Sequence, residues 1–320
     1  MTILPLNSAS IKEAITLLEQ GQLVALPTET VYGLAGDATN GKAMASIFST
    51  KKRPQFNPLI AHVSSIKMAE RYVEIDFLSR RLMEVFWPGP LTLVLPLKAH
   101  HNIHPLTTAG LNTLAVRFPQ SGFAEIVQYF GRPLAAPSAN QSGCLSPTSA
   151  EAVFASLGTS VPLILDGGAS KIGIESTIIK VCGDNIYLLR PGGLIAEEIE
   201  EVAGKSLKRL DQRTAIEAPG MLKSHYAPNA AVRLNVQKVE SGEALLAFGP
   251  KRIMGVENAV SILNLSESGH LEEAAAHLFA YMKQLDSLKV RCIAVESIPS
   301  YGLGEAVNDR LIRAAAPKEK

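Results

Sequence analysis

Residues 51–62, KKRPQFNPLIAH, begin with three adjacent cations and run into a buried strand pattern. Ahead of them, residues 40–50 have the apolar spacing of an amphipathic helix. After the proline at position 54, residues 59–63 form a short apolar run that contains one histidine. The change from helix to strand within a few residues predicts an α/β fold.

The composition limits the classes of function. The 320 residues include 31 basic and 30 acidic side chains, so the formal net charge is only +1. Nucleic-acid-binding domains usually carry a basic face and a high isoelectric point, so any anion site here must be local. The three scattered cysteines form neither a metal-binding spacing nor a disulfide framework. The N-terminal residues lack the basic start of a secretory signal, so we expect a cytoplasmic protein without a membrane anchor.

The helix and strand patterns divide the chain into three parts. Over residues 1–205, hairpin signals and crossover signals occur together, which predicts a mixed sheet. Residues 206–230 have no clear period and contain prolines and mixed charges, which predicts a linker. Residues 231–320 alternate strand and helix again, which predicts a smaller α/β domain with a parallel sheet.

Neither common glycine-rich phosphate loop, G-x-x-x-x-G-K-[ST] or G-x-G-x-x-G after a strand, occurs in the sequence. A nucleotide site would therefore need another device. The cations at residues 51–53 are one candidate, although the helix dipole also favours cations at the end of a helix. Both interpretations of these cations remain open at this point.

Two polar residues lie inside apolar strand patterns. Arg117, in LAVRF, is costly to bury without an anionic partner, which is either a core carboxylate or a ligand. His62 is either a hydrogen-bonded core histidine or a ligand contact. A polar loop over residues 98–110 contains three histidines but no cysteine or carboxylate to complete a zinc site. We therefore predict no protein metal ligand.

Several segments together resemble the YrdC/Sua5 family of L-threonylcarbamoyladenylate synthases. They are PTETVYGL at residues 27–34, the K-x-R of Lys51 and Arg53 with the following Asn57-Pro-Leu, the T-x-x-x-R of Thr113 and Arg117, and the S-x-N of Ser138 and Asn140. The segments PGM at 219–221, HYAP at 225–228 and GLGEAVNDRLIRAA at 302–315 are similar to the two-domain Sua5 branch.

The resemblance implies a fold and an activity. The fold would be a YrdC-like twisted mixed-sheet domain over residues 1–205, a long linker over 206–230 that folds over the cleft, and a smaller Rossmann-like α/β Sua5 domain over 231–320. The activity would be a nucleotidyltransferase that joins L-threonine, bicarbonate and ATP into threonylcarbamoyl-AMP and releases pyrophosphate and water. The product would pass to a downstream tRNA threonylcarbamoyl transferase complex, for the t6A modification of adenosine 37. Mg²⁺ would be bound through ATP, and direct tRNA binding stays open.

The resemblance also implies roles for individual residues. The catalytic cations would be Lys51 and Arg53, since adenylyl transfer depends on stabilising the phosphate charge. L-Threonine would be bound by Thr30, His62, Arg117, Ser138 and Ser176. ATP would be bound by Arg53, Asn57, Thr113, Asn140, Thr148, Arg190 and Tyr226. Tyr226 lies in the linker, where it is either part of a gate over the nucleotide or part of a passive tether.

Two alternatives come from other classes. One is a double-stranded RNA-binding protein, although the near-neutral charge and the lack of a basic stripe weigh against it. The other is a different carbamoyl-adenylate-handling protein of the YrdC type, but the accessory acylphosphatase and zinc-finger segments of such proteins are not visible here. The role of the C-terminal domain stays open.

Overall fold

A computed structural model describes residues 1–120, 122–209, 217–221 and 225–317. Within these ranges the strands form two sheets, one of eleven strands and one of four. The predicted α/β class, with a large mixed-sheet domain and a smaller domain, is confirmed. No helix in the described ranges is both long enough and apolar enough to cross a membrane.

The elements of the larger domain alternate strands with short helices. In chain order they are β1 (Thr2–Pro5), α1 (Ser8–Glu19), β2 (Val24–Leu26), β3 (Gly33–Asp37), α2 (Gly41–Lys51), β4 (Ile60–His62), α3 (Ile66–Ala69), α4 (Phe77–Phe86), β5 (Leu91–Pro96), α5 (Pro105–Thr108), β6 (Thr113–Arg117), α6 (Gly122–Phe130), β7 (Leu134–Ala135), α7 (Ala150–Leu157), β8 (Leu163–Asp166), β9 (Thr177–Cys182), β10 (Asn185–Arg190), α8 (Ala196–Ala203) and β11 (Leu207–Arg209).

The large sheet is mixed, as predicted. Its strand order is β1-β8-β2-β3-β7-β4-β6-β5-β9-β10-β11, and β9 and β10 form the antiparallel hairpin expected from the sequence. β11 pairs in parallel with β10. The sheet therefore extends past residue 205 into the segment that the sequence predicts to be a linker.

The C-terminal domain is a small parallel α/β unit. Its elements are β12 (Ala231–Arg233), β13 (Glu243–Ala247), β14 (Ile262–Asn264), α9 (Leu271–Ser287), β15 (Cys292–Val295) and α10 (Leu303–Ala315). The strand order is β12-β15-β13-β14, and all three pairings are parallel. This arrangement agrees with the predicted Rossmann-like domain.

Two features place the site. β4 and β6 are parallel neighbours whose register sets His62 directly beside Arg117. The two domains also share an apolar core, because Val31 and Ile174 of the large domain pack in one cluster with Tyr226 and with apolar residues of α9 and α10. The loop after β2 and the loop before β9 therefore pack against the C-terminal domain.

Candidate active site

One cavity lies where the C-terminal ends of β4 and β6 meet the loop after β7 and the described part of the linker. The sequence-predicted residues that line it are Thr30, Arg53, His62, Arg117, Ser138, Arg190 and Tyr226. They are far apart in the chain, and the fold brings residues predicted for threonine and residues predicted for ATP to the same cavity.

The other predicted residues divide into two groups. Lys51, Asn57, Asn140 and Ser176 do not line the cavity but hydrogen-bond to residues that do, or to the loops that carry them. Thr148 lines a separate groove between α7 and α9. Thr113 begins β6, four residues before Arg117 and therefore about 13 Å away along the strand. ATP contacts at Thr113 and Thr148 stay predictions.

Lys51 lies at the end of α2 and is almost fully buried. Its Nζ donates to the backbone carbonyl oxygens of Ser138 and Asn140. Burial, and secondarily the charge of Arg53, lower its pKa well below the ordinary value. Lys51 therefore fixes the S-x-N loop, and a phosphate close to it would restore the stability of its charged form.

Arg53 and Arg190 are the other cations predicted for the nucleotide. Arg53 donates from Nε and an NH₂ group to two carbonyl oxygens of the following loop, at 3.1 and 2.8 Å. Arg190 donates to the carbonyl oxygen of Ser176 at 3.1 and 2.9 Å and to its hydroxyl at 3.2 Å. Burial lowers the pKa of Arg53 to about 9. Both side chains are cations fixed by hydrogen bonds to neutral groups.

Arg117 has an internal carboxylate partner that was not named from the sequence. One of its NH₂ groups donates to Glu29 at 2.6 Å, and the other donates to the Thr30 hydroxyl at 2.9 Å. Its Nε donates to the carbonyl oxygen of Gly89 at 3.1 Å. Both alternatives considered for Arg117 therefore apply, because the side chain has a core carboxylate and also lines the cavity.

His62 is a neutral, buried imidazole. Burial, with a smaller contribution from the charge of Arg117, lowers its pKa to about 3. Its ring packs at 4.8 Å from that of Phe123, and its Nδ1 has no hydrogen-bond partner among the described residues. Such a ring can accept a hydrogen bond from a ligand, but it is too weak a base to retain a proton near pH 7.

Two buried asparagines have unused polar atoms. Neither side-chain atom of Asn57 has a partner among the described residues, and the same holds for Oδ1 of Asn140. Because unpaired buried polar atoms are costly, they suggest that a ligand supplies the missing hydrogen bonds. This observation fits the prediction that both residues contact ATP.

The described linker residues lie at the cavity. Pro219, Gly220, His225 and Tyr226 all line it. The His225 and Tyr226 rings are 4.0 Å apart, and Tyr226 stacks on Phe279 of α9 at 5.4 Å. The backbone of Ala227 donates to Gly143, in the loop after the S-x-N motif, at 2.7 Å. The HYAP segment thus joins the cavity to both domains.

Two charged residues of this region were missed at the sequence level. Glu175 lines the cavity, and it accepts hydrogen bonds from Ser146 and from Arg310 of α10. Although burial opposes it, the positive charges of Arg310 and Arg190 lower the pKa of Glu175 to about 2. The only available sequence signals were the position of Glu175 just before Ser176 and the position of Arg310 in the closing motif.

The charges fit a polyphosphate better than a bare metal ion. The buried cations at or beside the cavity include Lys51, Arg53, Arg117 and Arg190. The described residues contain no cluster of three histidine, cysteine, aspartate or glutamate side chains that could hold a metal ion. Mg²⁺ carried by ATP oxygens and water is compatible with this set.

Family models match the two domains in succession. Residues 16–192 match the Sua5/YciO/YrdC family model, which is described as telomere recombination, and residues 194–316 match the C-terminal domain of threonylcarbamoyl-AMP synthase. The chain belongs to the YrdC/Sua5 family. The second match identifies it with the two-domain Sua5 branch, which confirms the resemblance seen in the sequence.

Full-length Sua5 relatives are similar over nearly the whole chain. The threonylcarbamoyl-AMP synthase of Bacillus subtilis is 39% identical over 327 residues, covering 97% of this chain and 94% of the relative. That of Pyrococcus abyssi is 38% identical over 329 residues, covering 95% and 94%. The crystal structure of P. abyssi Sua5 complexed with L-threonine superposes with a TM-score of 0.90 at 35% identity, covering 98% of each chain.

Proposed function

We propose that this protein is an L-threonylcarbamoyladenylate synthase, which joins L-threonine, bicarbonate and ATP into threonylcarbamoyl-AMP with release of pyrophosphate and water. The observation that carries the proposal is that one cavity brings Arg117 and neutral His62 together with the buried cations Arg53 and Arg190. The first pair suits an amino acid, and the second suits a triphosphate.

The amino-acid end would hold threonine through side chains of different chemistry. The guanidinium of Arg117 would bind the carboxylate. The hydroxyls of Thr30 and Ser138, which line the cavity, would contact the substrate's hydroxyl and amine, and a threonine contact at Ser176, which does not line it, stays a prediction. Because burial lowers its pKa to about 3, His62 would orient the amine by accepting a hydrogen bond and would not act as the general base that takes up its proton. The amine would then add to bicarbonate or CO₂ to give N-carboxythreonine.

The nucleotide end would act mainly through charge. A carbamate oxygen of N-carboxythreonine would attack the α-phosphorus of ATP, and pyrophosphate would leave. Lys51, Arg53 and Arg190 would stabilise the charge on the phosphates, while Asn57 and Asn140 would fill their unused hydrogen bonds. Mg²⁺ would enter with ATP and add positive charge at the phosphates.

The linker would act as a gate. Tyr226 and His225 line the cavity, so a bound nucleotide would be shielded from water in this arrangement. The test is to replace Tyr226 with alanine and measure ATP turnover and product release separately. Unchanged values for both would show that the linker is a passive tether.

We place the reaction in the cytoplasm, with the product passed to a tRNA threonylcarbamoyl transferase complex. The activity test is ATP consumption in the presence of threonine and bicarbonate, followed as pyrophosphate and as the AMP adduct. Consumption that depends on both co-substrates is expected. Equal consumption without threonine would refute the proposal, and salt-dependent RNA binding without ATP turnover would favour the RNA-binding alternative.

Two variants sharpen the assignment of the two ends. Arg117→Ala is expected to lose use of threonine, because it removes the carboxylate partner. Lys51→Ala is expected to lose adenylyl transfer, because it removes a buried cation and releases the carbonyls of Ser138 and Asn140. Threonine binding in the absence of ATP, measured by calorimetry, should be lost in the first variant. In the second it should fall less than adenylyl transfer does, because the released loop carries Ser138.

A further inference from the structure

The arginines of the cavity differ in the charge of the groups they contact. Arg53 donates only to backbone carbonyls, and Arg190 donates to carbonyls and to the hydroxyl of Ser176, within the described part of the chain. All of these acceptors are neutral. Neither arginine therefore has a carboxylate among its hydrogen-bond partners, although the nearby carboxylate of Glu175 interacts with the charge of Arg190.

Arg117 is different because it is paired with Glu29. Their atoms are 2.6 Å apart, and the two side chains are only 4% and 6% exposed, so water screens the pair little. The second carboxylate oxygen of Glu29 accepts the backbone N–H of Gln120 at 3.2 Å, which fixes the carboxylate. The Arg117–Glu29 pair thus has no net charge.

The pair still leaves hydrogen-bonding capacity. A guanidinium has five N–H donors, and three of those on Arg117 are taken up by Gly89, Thr30 and Glu29. Among the described residues, no further acceptor engages the remaining two. Arg117 can therefore bind a carboxylate while its charge stays balanced by Glu29.

We propose that Glu29 determines charge selectivity at the amino-acid end of the cavity, so that this end accepts a net-neutral zwitterion and rejects a polyphosphate. The inference rests on the proposed function, which gives threonine and ATP to the same cavity. A zwitterion carries its own ammonium and has no net charge to be repelled by Glu29. Pyrophosphate carries several negative charges. At an effective dielectric constant of about 20, a fixed negative charge a few ångström from one of them weakens pyrophosphate binding by about tenfold or more.

The charge of Glu29 would keep the phosphates out of the threonine subsite. Without the charge of Glu29, Arg117 would become a further cavity-lining arginine with no carboxylate among its hydrogen-bond partners, as Arg53 and Arg190 already are. Pyrophosphate, the proposed product, would then bind at the threonine end as well and compete with threonine. Glu29 is a specificity-determining residue in this scheme, although it does not touch the reacting atoms.

The test uses Glu29→Gln in the full chain, because glutamine keeps the shape and an oxygen acceptor for Arg117 while removing the charge. Threonine affinity is measured by calorimetry with and without saturating pyrophosphate. In the unaltered chain, pyrophosphate should change the Kd of threonine by no more than about twofold. In Glu29→Gln it should raise that Kd by about tenfold or more.

Two controls separate charge from structure. Glu29→Asp keeps the charge and should behave like the unaltered chain. Glu70→Gln removes the carboxylate of a half-exposed ion pair with Arg80 elsewhere in the domain, and it should also respond to pyrophosphate as the unaltered chain does. A purely structural role for Glu29 predicts a lower melting temperature but an unchanged response to pyrophosphate, and that result would overturn the inference.

One measurement needs no variant. If pyrophosphate already weakens threonine binding tenfold in the unaltered chain, the inference is wrong even if Glu29→Gln does not fold. If the unaltered chain binds pyrophosphate but no threonine, the proposed function itself fails. Threonine binding with an unchanged pyrophosphate response in folded Glu29→Gln overturns only the role of Glu29.

Discussion

Arg310 of helix α10 donates to the carboxylate of Glu175 in the other domain at 2.7 Å, and the Arg310 side chain is completely buried. The guanidinium also lies 5.2 Å from the centre of the Tyr226 ring. Its second carboxylate partner is the adjacent Asp309, at 2.7 Å. The C-terminal domain thus reaches the cavity through one buried cation.

Arg310→Met should destabilise the protein strongly. The change leaves Glu175 buried without its partner, and breaking a buried pair by removing one member costs about 3–5 kcal/mol. The free energy of unfolding from chemical denaturation measures the effect. Arg209→Met is the matched control, because its pair with Glu305 is half-exposed and should contribute less than about 1 kcal/mol. Equal losses in both variants would contradict this prediction.

Gly173→Ala should disturb the contact between the domains. A Cβ at Gly173 would lie 2.5 Å from the backbone of Ala275 and Ala276 in α9, and its φ is +78°. Gly110 has nearly the same φ, +79°, with nothing within 4 Å of an added Cβ. Gly110→Ala therefore reports the backbone strain alone, about 1–2 kcal/mol. Gly173→Ala should lose clearly more stability, as measured by denaturation, and equal losses would exclude a steric clash.

Stability should fall below about pH 6.5 because of two buried histidines. Burial lowers the pKa of both His62 and His225 to about 3, whereas an unfolded chain binds those protons below about pH 6.5. Between these values the unfolded state holds more protons, so the free energy of unfolding drops by about 1.4 kcal/mol per pH unit for each histidine.

His225→Gln should remove the contribution of one of the two histidines to the pH dependence of the free energy of unfolding. Between pH 6.5 and 5.0 its free energy of unfolding should decrease by about 2 kcal/mol less than that of the unaltered chain. His100→Gln, in an exposed loop, is the control and should leave the profile unchanged. A profile for His225→Gln that parallels the unaltered one would show that His225 is not held neutral.

Lys52→Gly should stabilise the protein slightly. Lys52 caps α2 in the left-handed conformation, with φ 52° and ψ 43°, which costs a non-glycine residue about 1 kcal/mol. A gain of up to about 1 kcal/mol in the free energy of unfolding is expected. Lys12→Gly, at an exposed position inside α1, should instead lose about 1 kcal/mol. A loss at position 52 would refute the explanation.

Local patterns were sufficient for much of the fold and part of the site. The helix over residues 77–86 follows local signals, since Asp76 caps it and the Trp-Pro-Gly-Pro segment after Phe86 ends it. Arg117 and His62 stood out because each is polar within an apolar strand, and both line the cavity. A buried polar group is visible in these strands because its neighbours form a continuous apolar run, as in strands buried on both faces.

The partners of these groups were not predictable in the same way. The sequence indicates that Arg117 needs an anion but not that Glu29, 88 positions away, supplies it. Glu175 and Arg310 are 135 positions apart, and no local period links them. The loop over residues 98–110 contains a short helix, α5, because the Nδ1 of His104 accepts the backbone N–H of Leu106 and caps it. That cap gives one of the three loop histidines a structural role.

The large sheet cannot be completed until late in synthesis, because its first strand pairs with a strand far along the chain. β1 (Thr2–Pro5) is the edge strand of the large sheet in the described residues and pairs with β8 (Leu163–Asp166), and β2 lies on the other side of β8. A ribosome adds about 5–20 residues per second, so the N-terminal segment emerges roughly 10–30 seconds before its partner strand exists. During that interval the nascent large domain has an incomplete sheet, whose unpaired strand edges are open to pairing with other chains.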